Sequence, residues 1–393
     1  MATDAEVTPG SQAALRQANR QRVVEALRAA GTMTQAEIAR ATGLSAASVS
    51  NIVRDLRSLG TVSVRETSSN GRRARAVTLV RPPGVVVGID FAFSRITVAL
   101  GDSQGRTLLE ETIVYDVASD AGRGVRRAVW LVETLLTQAR IDHSTVIGVA
   151  AAVPGPVDAV SGEIGTITCM PRWAGARPGE ELAERLGLPV AVENDANLAV
   201  LAEAAEGVAR GREHVIHVSL SQGVGAGLLV SGRLFRGAGG TAGEIGHIGL
   251  DERGQVCRCG NRGCLETLVG EPYLLAMLPQ LGHVEDLATL GDVVAAARDA
   301  DPGCRRIVAE AGAALGRGVA IVVNMFNPQM VVVGGELADA EELFLEPMRR
   351  AMELGTLGSA LRDVRVVRGE LGARAALRGA LRLALSTMGE SIR

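Results

Sequence analysis

Apolar residues recur at helical spacing three times near the start of the chain. Leu15, Val23, Val24 and Leu27 share one face over residues 12–30, and Gly31 ends that segment. Thr34, with Glu37 three residues on, reads as a capping box for a second helix over 35–41, which Gly43 breaks. Ser45 opens a third helix, running to about residue 59, with Val49, Ile52, Val53 and Leu56 facing inward. Beyond it come two short β-rich runs, 61–65 and 76–80, around Ser68-Ser69-Asn70-Gly71, and Asn-Gly is a strong hairpin signal. Three helices and a hairpin predict a winged helix-turn-helix over residues 1–81, with residues 1–11 expected to be disordered.

Arg81-Pro82-Pro83-Gly84 then reads as a stiff linker, 82–84. Apolar, β-branched runs over 85–90, 95–100 and 107–115 predict a strand meander, followed by an amphipathic helix over 124–139. Buried strands are expected at 146–153, ending in Pro154-Gly155-Pro156, and at 190–192, leading into Glu193-Asn194-Asp195-Ala196-Asn197. A second set of strands follows at 215–220, 225–231, 330–334 and 364–368, with helices over 290–300, 305–324, 343–354 and 373–385. Strands alternating with helices predict an α/β body.

Composition changes this picture in three ways. The chain has 393 residues, 47% of them hydrophobic, which allows two or three domains with large cores. The net charge of -3 hides an asymmetry: residues 16–81 carry twelve arginines against Glu25, Glu37, Asp55 and Glu66. A basic head on an acidic body suggests a nucleic-acid-binding module. All 41 basic residues are arginine, which excludes Schiff-base or P-loop lysine chemistry. The polar first twenty residues predict no signal peptide, and no charge-free apolar run of about 18 residues predicts a spanning helix. A cytoplasmic, reduced setting is therefore expected, and no internal repeat is evident.

The expected partner of the head is double-stranded operator DNA. The third helix presents Ser45, Ala46, Ala47, Ser48, Ser50, Asn51 and Arg54 outward. Asn bonds adenine and Arg bonds guanine through paired hydrogen bonds, and serines suit phosphate. Arg72, Arg73 and Arg75 form a dense wing that suits a narrow minor groove. The alternative is a helical interaction module with a solvated charged turn.

The densest chemistry lies at Gly243-Glu244-Ile245-Gly246-His247 and Cys257-Arg258-Cys259-Gly260-Asn261-Arg262-Gly263-Cys264-Leu265-Glu266. Three of the five cysteines fall within eight residues, and His247 precedes the first by ten. His247, Cys257, Cys259 and Cys264 form a set that zinc binds tetrahedrally. A disulfide would leave one thiol of the cluster unpaired and would need an oxidising compartment. Cys169 and Cys304 lie outside the cluster and are expected in the core.

This block resembles the signature of the ROK family, named for repressors, open reading frames and kinases. The resemblance covers the body from about residue 85 and, with the winged head, points to the branch of xylose-, N-acetylglucosamine- and glucose-type regulators. It implies a two-lobed actin-like fold of the sugar kinase, ribonuclease H-like kind. The first lobe would comprise 85–200 plus 370–393, and the second, with the zinc site, 201–369. It also implies a sugar or sugar phosphate held by Gly155, Asn194, Asp195, Glu244, His247 and Glu266. His247 would serve zinc with one nitrogen and border the sugar with its ring. Asp195 would be the catalytic base if the protein were a kinase. Trp173 would either stack on a sugar or fill the core. In the family's kinases an Asp-x-Gly-Gly-Thr turn and a Gly-Thr-Gly-x-Gly-x-Gly loop approach ATP's phosphates. Here they read Asp90-Phe91-Ala92-Phe93-Ser94 and Ser221-Gln222-Gly223-Val224-Gly225-Ala226-Gly227, while Gly334-Gly335 remain near the adenosine position. Phe93 should obstruct the phosphates. The expectation is a non-enzymatic regulator, assembled as a homodimer or homotetramer and not inserted in a membrane. The alternatives are an ATP-dependent sugar kinase with an appended DNA-binding head, or a vestigial pocket on a protein-binding body.

Overall fold

The computed structural model describes residues 12–58, 61–69, 72–79, 84–166, 169–281 and 287–387. The chain divides into two compact units at Pro83/Gly84. The expected disorder of residues 1–11 and the Asn70-Gly71 turn lie outside the described residues.

In the first unit, α1 (Gln12–Ala30), β1 (Thr32–Thr34), α2 (Gln35–Thr42) and α3 (Ala46–Ser58) precede β2 (Val62–Ser69) and β3 (Arg72–Leu79). The antiparallel sheet runs β1-β3-β2. Thr34 and Glu37 cap α2 reciprocally: Thr34 Oγ1 accepts from Glu37 N at 3.3 Å and Glu37 Oε2 accepts from Thr34 N at 2.7 Å. Val23, Leu27, Ile38, Val49, Val53, Leu56, Val62 and Val77 close the core. Leu15, expected on the inner face, is instead 65% exposed, because α1 meets its neighbours only further along. The wing strands outrun their apolar runs. Polar residues such as Glu66, paired in register with Arg75, extend the ladder without any hydrophobic alternation to announce it.

The second unit holds two five-stranded sheets. The first uses β4 (Val85–Ala92), β5 (Arg95–Gly101), β6 (Thr107–Val114), β7 (Val146–Val153) and β8 (Val190–Asn194), in the order β6-β5-β4-β7-β8. Between these strands run α4 (Ala121–Ala139), started by an Asp120 cap, and α5 (Pro178–Leu186). After β8 comes α6 (Asp195–Ala205). The second sheet uses β9 (Val215–Leu220), β10 (Val224–Val230), β11 (Arg233–Leu234), β12 (Met330–Gly334) and β13 (Arg365–Arg368), in the order β11-β10-β9-β12-β13. Its helices are α7 (Glu266–Val269), α8 (Glu271–Leu275), α9 (Leu290–Arg298), α10 (Pro302–Phe326), α11 (Glu342–Gly355) and α12 (Gly358–Leu361), and α13 (Ala375–Thr387) closes the chain.

Each sheet is an antiparallel three-strand meander extended by two parallel strands. The topology therefore repeats although no sequence repeat is evident: backbone pairing needs only β-compatible apolar runs, not matching residues. α6 and α13 pack on each other between the sheets, α6 against β9 and β10 and α13 against β4 and β7. Residue 200, expected to divide the lobes, lies inside α6, where Val200 joins Val215, Leu229 and Val332. A Cβ at Gly227 would stand 2.2 Å from Ala196 O, so glycine lets β10 reach α6. α10 has the length and apolarity of a membrane span, but 67% of that window is buried, as in a core helix.

Candidate functional site

The ends of β7, β8 and β9 open onto one cleft, lined by Pro154, Gly155, Cys169, Asn194, Asp195, Ser219, Ser221, Gly223, Val224, Gly225, Glu244, His247, Arg258 and Glu266. All six anticipated sugar contacts are brought together there. Asn194 is the N-cap of α6: its Oδ1 accepts from Asn197 N at 3.0 Å and its Nδ2 donates to Gly155 O at 3.0 Å. The side chain thus ties the strand ends together, and a hydrogen bond from it also reaches Asp195. Asp195 begins the helix, and its Oδ1 accepts from Ala196 N at 2.8 Å. Burial, then the neighbouring Asp90 carboxylate, raises Asp195 to about 7, and Asp90 itself is raised by burial to about 6.

Glu244 enters from the second sheet's side. A Cβ at the preceding Gly243 (φ 97°) would lie 1.8 Å from Ala226 O, so only glycine lets this loop press against β10. Burial, followed by repulsion from Asp195 and Glu266, raises Glu244 to about 7. Glu266 is 4% exposed; its Oε2 accepts from Val224 N at 3.3 Å and its Oε1 from Arg258 Nε at 2.7 Å. His247 Nε2 lies 3.9 Å from Glu244 Oε2, and burial lowers its pKa.

The other ring nitrogen of His247, Nδ1, is 3.5 Å from Cys257 Sγ, and Cys259 Sγ is 3.6 Å from Cys264 Sγ. All four ligand atoms lie within 4.8 Å of one another, and the cysteines are free thiols, so the cluster has the size and donor set of a metal centre. The metal cluster and the sugar candidates share His247, and Cys257 Sγ lies 3.8 Å from Glu266 Oε1.

Several participants escaped sequence reasoning. Arg258, between two candidate ligands, bonds Glu266 and also donates from Nη2 to Gln222 O at 3.1 Å. Its place inside the Cys-x-Cys spacing was the available signal. Glu193, 5% exposed, accepts from Asn194 N at 3.0 Å and Asn197 Nδ2 at 2.9 Å, and pairs with Arg236 Nε at 2.6 Å. It braces the start of α6 against the loop leading to Glu244. Cys169, expected in the core, lines the cleft, where burial pushes its thiol up to about 12; Cys304 is buried as expected. Trp173 is a core residue: it is fully buried, packs on Phe91 with ring centroids 5.0 Å apart, and donates Nε1–H to Val117 O at 2.7 Å.

In the first unit, Ser45 Oγ accepts from Ser48 N at 3.1 Å and caps α3. Ser45, Ser50, Asn51, Arg54 and Arg75 are exposed and Ser48 is half-buried, while Arg54 Nη2 donates to Asn51 Oδ1 at 2.5 Å. Arg72 and Arg73 occupy the hairpin end of β3, in register with Ser69 and Ser68, and their side chains lie outside the described residues.

The ROK family model matches residues 86–387. This chain belongs to the ROK family. A second model, a domain of unknown function (DUF7343), matches residues 17–72. The xylose repressor of Caldicellulosiruptor bescii is 29% identical over 96% of this chain and 98% of its own length. The transcriptional dual regulator NagC of Escherichia coli is 30% identical over 94% and 95%. A crystal structure of a ROK transcriptional regulator, a homolog of the E. coli MLC protein, superposes with a TM-score of 0.77 at 26% identity, covering 95% of this chain and 97% of that one. The ROK glucokinase of Streptomyces griseus, in complex with glucose and AMPPNP, gives a TM-score of 0.66 at 27% identity, covering 77% of this chain and all of that one.

Within this ROK body, the two segments expected to correspond to phosphate loops take distinct states. Phe93 occupies the β4–β5 turn, 37% exposed and outside the cleft lining. The Ser221–Gly223 loop is tied down: Ser221 N donates to Gly223 O at 3.0 Å, Glu271 N to Ser221 O at 3.1 Å, and Gln222 Nε2 to Glu271 Oε2 at 2.6 Å.

Proposed function

We propose that this ROK protein is a sugar-responsive, DNA-binding transcriptional repressor of the cytoplasm. The observation that carries the reading is one chain combining a capped, three-helix winged unit with a cleft on which the six candidate sugar contacts converge beside a His/Cys cluster that could hold a metal. Regulators match nearly its whole length, whereas the glucokinase structure spans 77% of it.

Zinc is the metal that suits the cluster. A tetrahedron with Zn–S of about 2.3 Å and Zn–N of about 2.05 Å has S···S edges of about 3.8 Å and S···N edges of about 3.6 Å. The Cys259–Cys264 and Cys257–His247 separations, 3.6 and 3.5 Å, support that fit. Zinc, when bound, supplies a closed brace with no open position, so His247 is held rigid while its Nε2 side faces the cleft.

A sugar placed among Gly155, Asn194, Asp195, Glu244, His247 and Glu266 donates its hydroxyls to carboxylates that burial leaves poorly solvated. α3 enters the major groove, with Asn51 and Arg54 reading bases and Ser45, Ser48 and Ser50 set near phosphates. Arg72, Arg73 and Arg75 on the wing enter the minor groove. Two heads of a homodimer or homotetramer would meet two half-sites. A preference of the sugar for one arrangement of the body alters DNA affinity reciprocally, and coupling of about 2 kcal/mol changes affinity about thirtyfold.

The protein is read as a non-enzyme because Phe93 and the tied Ser221–Gly223 loop replace glycine-rich phosphate cradles. The kinase reading has one observation in its favour: Asp195, near pKa 7, suits a general base. A DNA-binding titration with and without a sugar panel tests the proposal; affinity indifferent to every carbohydrate would reject it. A coupled ADP-release assay on the same sugars tests the rival, which requires turnover abolished by Asp195→Asn.

A further inference from the structure

We propose that Arg236 and Glu193 are positioning residues for the cleft. Through their ion pair the segment 236–243 holds Glu244 and His247 in register with Asn194 and Asp195, although neither partner is among the described lining residues. That the positioned groups meet a sugar rests on the reading above; the coupling between the two halves of the cleft does not.

Segment 236–243 reads Arg-Gly-Ala-Gly-Gly-Thr-Ala-Gly. Four glycines in eight residues give it little stiffness of its own, so its place depends on what grips it. It leaves the second sheet after β11 and returns at Gly243, whose O accepts from Ala226 N at 2.8 Å. In between it reaches the first sheet's side at two points. Gly240 (φ 83°) presses on the loop after β7, where a Cβ would stand 2.0 Å from Val157 O. Arg236 Nε donates to Glu193 Oε2 at 2.6 Å. Ala242 N donates back to Arg236 O at 3.2 Å and closes the segment on itself. Glu244 is the next residue but one after Ala242.

Both grips adjoin cleft residues. Val157 is two residues beyond Gly155, whose carbonyl accepts from Asn194 Nδ2. Glu193 directly precedes Asn194, and its Oε1 accepts from Asn194 N and Asn197 Nδ2 while its Oε2 faces Arg236. One buried carboxylate, 5% exposed, therefore fastens the start of α6 to the segment that delivers Glu244. Moving one side of the cleft away from the other leaves that carboxylate buried without its cation, which costs far more than parting an exposed pair.

Hydrogen exchange of the full chain without ligand, and calorimetric titration with D-glucose, D-xylose and N-acetyl-D-glucosamine, test this on Arg236→Met, Arg236→Lys and Glu193→Gln. Glutamine keeps an Oε1 for Asn194 N and Asn197 Nδ2 and removes the charge that holds Arg236. Arg236→Met should speed exchange of residues 194–199 about tenfold or more, and Glu193→Gln that of residues 242–248. Both should leave β12 at the parent rate and the metal content unchanged. Arg236→Lys, which keeps the cation, should restore most of the protection. Any of these sugars that binds the parent should bind Arg236→Met at least about tenfold more weakly, and Arg236→Lys nearly as well as the parent. Unchanged exchange at 194–199, or a rise shared equally by β12, would overturn the proposal, since the pair would then couple nothing or merely prop the whole fold. Parental sugar affinity in Arg236→Met would overturn it as well. A parent that binds none of the three sugars would count against the sensor reading, and the exchange pattern alone would still decide the proposal.

Discussion

Asp195→Asn isolates the energetic consequence of gathering carboxylates in the cleft. Asparagine keeps an Oδ1 to accept from Ala196 N, removes the charge and puts an amide donor in place of the second carboxylate oxygen. Burial and the Asp90 charge raise the native pKa from 3.8 to about 7. The native state therefore holds the proton more tightly than the unfolded chain. Between about pH 4 and 7 stability falls as pH rises; the penalty is absent below that window and complete above it. Three units at 1.36 kcal/mol each set a ceiling of about 4 kcal/mol. Part of that repulsion is shared with Asp90 and part is screened by water in the open cleft, so about 2 kcal/mol is expected. At roughly 1.5 °C per kcal/mol for a unit of about 300 residues, the variant should melt about 3 °C above the parent at pH 8, with almost no difference at pH 4. Scanning calorimetry of both proteins across pH 4–8.5 reads the difference directly, and titrations common to both cancel. A gap that does not widen with pH, or a variant less stable at pH 8, would refute the account of Asp195 as a strained buried acid.

Two further outcomes follow from other parts of the molecule. Cys259→Ser leaves the cluster one sulfur short, so bound metal should fall from about one equivalent per chain to a small fraction of that, and sugar affinity should drop with the loosened His247. Metal analysis of the purified protein checks this, and equal content in variant and parent would reject Cys259 as a ligand. Arg54→Ala should cost about 1–3 kcal/mol of operator affinity and relax the preference at one base pair, read by fluorescence anisotropy on a set of single-base operator variants. Because Arg54 and Asn51 bond each other at 2.5 Å, the effects of their two alanine variants should fail to add.

Local chemistry made much of this protein legible from its residues alone. The Thr34/Glu37 cap, the third helix behind Ser45, and the buried strands Val146–Val153 and Val215–Leu220 follow from spacing and side-chain type, and they stand where that pattern puts them. The metal cluster is legible for the same reason: three of its four donors lie within eight residues on a glycine-rich segment. The ROK signature carried the remaining cleft residues, since a spacing of motifs is a property of the chain.

What only the tertiary structure decided depends on residues far apart in sequence. The resemblance names Asn194 as a sugar contact, but that it caps α6 and holds Gly155 is visible only in the fold. Trp173 could equally face a sugar until Phe91 and Val117 close over it. Arg258 enters the cleft because α7 sets Glu266 beside it, and Glu193 meets Arg236 across the space between the two sheets. Periodicity and capping are short-range energies, written within a turn or two of backbone. The charge of the cleft, the raised acids and the tied loop are sums over neighbours that only packing brings near, so no stretch of sequence carries them alone.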